Sequence, residues 1–133
     1  MSGVSDRPFA CLELDHVVLR VRDQAVSQRF YTELLGLTVD HVNEPIRLIH
    51  LRCGRHFVDL LPLEPGEPAP PTARMDHVCL SVRCDDLAAA AAFLRGHGVE
   101  VEGEVAFRLG AFGRGPSLYI RDPDGYRVEL KPR

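Results

Sequence analysis

The chain has 133 residues, a length that suits one domain with its own core. Its formal net charge of −3 gives no support for a nucleic-acid or membrane-surface partner. No segment approaches the roughly eighteen apolar residues of a spanning helix. The opening MSGVSDRPFA lacks the apolar run of a signal peptide, and Cys11, Cys53, Cys79 and Cys84 form no C-x-x-C pair, so a reduced, cytoplasmic protein is expected.

Residues 12–22 alternate as a half-buried strand. Asp23 can cap a helix over 24–35, with Val26, Phe30, Leu34 and Leu35 on one stripe and Gly36 as its stop. Three strands follow, at 37–42, 46–53 and 55–63, the last two joined tightly by Cys53-Gly54-Arg55. Residues 64–73, EPGEPAPPTA, read as an extended linker. A strand over 74–84 then leads to a helix over 87–96, capped by Asp85 or Asp86 and ended by Gly96 or Gly98. Residues 99–108 form a strand, and 109–115 (LGAFGRG) read as a flexible glycine-rich loop. Strands at 116–121 and 126–131 close the chain around Asp122-Pro123-Asp124-Gly125, which has the composition of a type I turn. All the basic residues but one are arginines, and the exception is Lys131.

The order repeats because the sequence does. LDHVVLRVR (14–22) and MDHVCLSVR (75–83) align at an offset of 61, and Val58-Asp59-Leu60 matches Val128-Glu129-Leu130. Two copies are too few for a solenoid. The reading is α+β: two βαβββ modules, 12–63 and 74–131. Side-chain alternation places Val17, Leu19 and Val21 on one face of the first strand and His16 on the other. The same parity sets His77 apart from Val78, Leu80 and Val82, and Glu129 apart from Val128 and Leu130. A lone strand histidine is usually structural. Two at equivalent points of a repeat, each in a module closed by a carboxylate, point to a site for a divalent metal: Zn, Ni, Mn, Co or Fe(II).

The repeated D-H-V-x-L-x-V-R, the F-Y-x-x-L-L-G-L of 30–37 and the closing R-D-P-D-G-Y-R-V-E-L of 121–130 resemble the vicinal-oxygen-chelate superfamily (glyoxalase, bleomycin resistance, dioxygenase) from about Leu12 to Lys131. The chain is similar to its short glyoxalase-domain and fosfomycin-resistance-like members. The resemblance implies a cupped mixed sheet with helices outside. It also implies one metal near His16, Asp59, His77 and Glu129, on the first and last strands of each module. Asp59 is the departure, one methylene shorter than the glutamate some members carry there. The resemblance further implies Glu129 and Tyr119 as catalytic residues, and Arg114, Ser117 and Tyr119 beside the substrate. The implied activity is lyase, isomerase or transferase chemistry on a small oxygen-rich substrate, a glutathione adduct among the candidates, in a homodimer. Two other classes stay open: an Fe(II) dioxygenase, and a metal-free drug- or ligand-binding module. His97 reads as a solvated capping residue, and parity leaves His50 unassigned.

Overall fold

In the computed structural model, Ala10, residues 12–68 and residues 75–133 are described. The expected linker can therefore be followed only to residue 68; its remainder, Arg74 and Cys11 lie outside the described residues. In chain order the elements are β1 (His16–Val21), α1 (Gln24–Arg29), β2 (Thr38–Asn43), β3 (Leu48–Cys53), β4 (His56–Pro62), β5 (Val78–Val82), α2 (Leu87–Gly96), β6 (Val101–Gly110), β7 (Gly113–Arg121) and β8 (Arg127–Pro132). Each module is βαβββ, and each makes its own four-stranded mixed sheet, in the orders β1-β4-β3-β2 and β5-β8-β7-β6. The first strand of each module runs parallel to the last, and the other pairings are antiparallel.

Asp23 caps α1 as expected, its carboxylate accepting from Val26 N at 3.2 Å. The helix then loosens into a π-turn over Phe30–Leu34, closed by Leu35 N donating to Phe30 O. Its buried side differs from the expected stripe. Val26 is 37% exposed, whereas Ser27, Phe30 and Tyr31 are buried. The reason is polar: Ser27 Oγ donates to Asp124 Oδ2, and Tyr31 OH donates to Asp122 Oδ2 at 2.6 Å. These bonds, with Tyr126 OH donating to Arg20 O, join the first module to the Asp122–Gly125 turn of the second.

That turn forms as its composition indicates, with Gly125 N donating to Asp122 O at 3.0 Å. The expected flexible loop at 109–115 does not exist. β6 and β7 continue through it, paired as Leu109↔Arg114 and Gly110↔Gly113 around Ala111-Phe112. The glycines permit a tight reversal, Gly113 standing at φ +115. In the second module Asp86, not Asp85, caps α2, accepting from Ala88 N and Ala89 N.

Leu19, Leu51, Val58 and Leu60 of the first sheet and Leu80, Leu118, Ile120 and Val128 of the second join both helical segments in one buried apolar cluster. The strand faces assigned by parity are thus the observed ones. Apolar residues enter the core, and His16, His77 and Glu129 lie on the faces turned from it. No described helix is long and apolar enough to cross a membrane.

Candidate metal centre

The second sheet holds the more complete half of the site. His77 Nε2 lies 3.0 Å from Glu129 Oε1. The other ring nitrogen, Nδ1, meets Asp76 Oδ1 at 2.6 Å. The preceding aspartate therefore fixes the ring and leaves Nε2 aimed at Glu129, the arrangement in which a carboxylate orients a metal-binding histidine from behind. The first module copies it: His16 Nδ1 lies 2.7 Å from Asp15 Oδ1, and that bond raises the histidine pKa above its ordinary value. The Asp of each repeated D-H pair thus has a visible task.

Glu129 is 5% exposed on the central strand β8, opposite Cys79 of β5 and Tyr119 of β7. Partial desolvation, then the charge of Glu129, pushes the Cys79 thiol up to about 11. Tyr119 packs edge-on against His77, ring centroids 5.6 Å apart. The guanidinium of Arg127 stacks over Tyr119 at 3.8 Å, is held by Glu102 at 2.7 Å and reaches Asp76 at 3.6 Å. Glu102, Arg127, Asp76, His77 and Glu129 form a continuous run of polar contacts along one face.

Asp59 sits on β4, 1% exposed, with Oδ1 2.9 Å from His50 Nδ1 and Oδ2 without a hydrogen-bond partner. Its nearest imidazole partner is thus His50, which sequence parity left unassigned. A usable signal was present. With two residues in the Gly54-Arg55 turn, Cys53 pairs with His56, and counting back sets His50 opposite Asp59.

The chain does not gather the whole predicted set. No group of three or more His, Cys, Asp or Glu residues able to hold a metal occurs among the described residues. His77 with Glu129, and His50 with Asp59, are brought together; His16 lies on the other sheet from His77 and Glu129. Ser117 is buried and shares strand parity with Tyr119. Arg114 is exposed, and alternation turns it to the opposite face of β7, away from Ser117 and Tyr119. Two clefts, of about 780 and 430 Å³, lie near the 121–125 turn and beside α2, and neither is lined by His16, His77 or Glu129. The chemistry of the donors identifies the site better than concavity within one chain. His97, as expected, is exposed at the end of α2 and meets Phe93 O through Nδ1.

Residues 13–130 match the family model described as the Glyoxalase/Bleomycin resistance protein/Dioxygenase superfamily. The chain belongs to this superfamily. It is 29% identical to the uncharacterized protein YaeR of Escherichia coli over 126 residues, covering 89% of this chain and 94% of YaeR. Among solved structures it is similar to an integron cassette protein from the mobile metagenome of V. Pseudocholerae, with a TM-score of 0.72 and 30% identity over 93% of this chain and 96% of that one. The fosfomycin resistance protein FosX of Listeria monocytogenes shares the fold, with a TM-score of 0.68 at 15% identity and coverage of 93% and 95%.

Proposed function

We propose that the protein is a metal-dependent enzyme of the glyoxalase type, acting on a small oxygen-rich substrate by lyase, isomerase or transferase chemistry. The observation that carries this reading is the 3.0 Å approach of His77 Nε2 to the buried Glu129 carboxylate, with Asp76 holding the ring from behind. A cation would stabilise this buried carboxylate, and the oriented imidazole nitrogen beside it would complete a two-donor seat for Zn, Ni, Mn, Co or Fe(II). His16 carries the same aspartate support, but among the described residues no group of three metal donors forms around it, and Asp59, the buried carboxylate that acts on it, is engaged by His50. The reading therefore completes the seat between chains, with His16 of the partner subunit joining His77 and Glu129.

Such an ion supplies a Lewis acid for two adjacent substrate oxygens. The chain's own residues supply the rest. Glu129, with one oxygen against His77, is the group placed to take a proton next to a substrate carbonyl. Tyr119 walls the site beside His77, and Arg127, clamped by Glu102, holds Tyr119 and Asp76 in place. Asp59 enters through His50, which already occupies one of its oxygens, rather than as a further metal donor.

Metal analysis of protein purified without chelator tests the reading. One equivalent per chain is expected, lost in His16→Ala and in His77→Ala and retained in His97→Ala. Stoichiometric metal in the His16→Ala/His77→Ala double variant would overturn the ligand set. Turnover is then sought with the methylglyoxal–glutathione hemithioacetal and with fosfomycin.

A further inference from the structure

Lys131 is the one lysine of the chain, and it lies two residues beyond Glu129 on β8, projecting from the same face. It is 7% exposed, which is unusual for an ammonium group without a counter-ion. Among the described residues it has no ion pair; Nζ donates to the backbone carbonyl of Gly115 at 3.1 Å.

Two glycines give this side chain its room. A Cβ added at Gly110 would stand 2.7 Å from Lys131 Cε and 2.8 Å from Cδ. One added at Gly115 would touch Nζ at 3.4 Å. The glycines of the β6–β7 hairpin thus leave the space that the Lys131 side chain occupies. Ser117, fully buried and on the face of Tyr119, has a hydroxyl with no hydrogen-bond partner. Ser81 stands opposite Lys131 across the β5–β8 ladder. Lys131 Nζ has one backbone acceptor and no ion pair, the Ser117 hydroxyl has no partner, and the carboxylate on this face, Glu129, is engaged by His77, so donors here are left available to an incoming acceptor.

We propose that Lys131 and Ser117 form an anion-binding subsite that takes a carboxylate or a phosphate-type group. Two residues along a strand span roughly 6.6 Å. The substrate class is therefore a small molecule whose anionic group lies a few bonds from the oxygens presented to His77 and Glu129. That description of the far end rests on the metal reading above; the anion subsite itself does not.

The test titrates inorganic phosphate, and separately acetate, into the metal-free full-length protein, followed by NMR chemical shifts. Saturable binding of at least one anion is expected, and the two arms distinguish phosphate-type from carboxylate recognition. Lys131→Met should weaken it at least about tenfold, the scale of one charge-assisted hydrogen bond. Gly110→Ala should weaken it as well, since its methyl group displaces the lysine stem without removing the charge. Gly110 has no positive φ, so the backbone tolerates alanine there, and this variant carries the test if Lys131→Met does not fold. His77→Ala should keep phosphate or acetate binding while losing zinc. Retention of both by His77→Ala would strike the metal reading and leave the subsite standing. Absence of anion binding in the natural protein, or unchanged binding in folded Lys131→Met, would overturn the subsite whatever the zinc result.

Discussion

Asp122 shows how one residue can tie two modules together. Its carboxylate accepts from Tyr31 OH at 2.6 Å and, through its other oxygen, from Asp124 N and Tyr126 N at 2.9 Å. Burial still outweighs these donors and raises its pKa above 3.8. A carboxyl raised on folding contributes most to stability below its unfolded value, and that contribution is lost as pH rises through the folded value. Tyr31 works against the loss, because its hydroxyl, held protonated by burial, favours the ionised carboxylate. Tyr31→Phe should therefore destabilise by about 1.5–3 kcal/mol near pH 7, where the lost bond is charge-assisted. The penalty should shrink near pH 4, where protonated Asp122 gains less from the donor. Urea unfolding of both proteins at the two pH values checks it; equal penalties would mean that charge plays no part. None of this was legible in the sequence, where the F-Y of 30–31 reads only as helix and motif. By contrast, His16, His77 and Glu129 could be placed on the polar strand faces because alternation is a local property of an extended chain.

At the scale of elements, sequence reasoning succeeded where a local rule acts alone and failed where a tertiary contact decides. The α2 span of 87–96 was legible because capping, an alanine-rich interior and terminal glycines agree. The sequence offers two aspartates as its cap, and geometry selects Asp86, which accepts from two backbone N–H groups. Asp86→Ala should cost about 1 kcal/mol, and Asp85→Ala within about 0.5 kcal/mol of nothing. Chemical denaturation of the two variants decides between them, and equal losses would refute the assignment. From sequence alone 109–115 reads as a loop, not a hairpin, because glycine signals both flexibility and close approach. Here the approach is that of Lys131 to Gly110, a contact between residues 21 apart in sequence that no local pattern reports. The His50–Asp59 pair was within reach, since it follows from the length of the Gly54-Arg55 turn; parity alone, without register, could not find it.

Over the whole molecule, the candidate site sets the assembly problem. Each sheet has the first strand of its module at one edge, β1 in one and β5 in the other, and edges of this kind must be covered or protected. Leu12 and Leu14, just ahead of β1, are 90% and 86% exposed, and Phe107, Leu109 and Phe112 of the β6–β7 hairpin are each at least 67% exposed. Such apolar exposure beside two polar sheet faces fits a contact with a second copy. It would also bring a His16 to the His77–Glu129 pair, which one chain does not do among its described residues. Two consequences separate the shared site from a self-sufficient one. On the shared-site reading, dilution should release metal in step with dissociation, since the donor set would then be complete only in the dimer. Co-expressed His16→Ala and Glu129→Ala chains, each inert alone, should together recover metal. With random pairing half of the dimers are mixed, and a two-fold dimer with one chain of each kind has one intact site of its two, so about a quarter of the natural metal content is expected. Differently tagged chains allow the mixed dimers to be isolated, and these should carry about one ion per dimer. Mixed dimers proven by both tags yet free of metal would refute the shared site. An unchanged metal affinity in a proven monomer would place all the ligands within one chain.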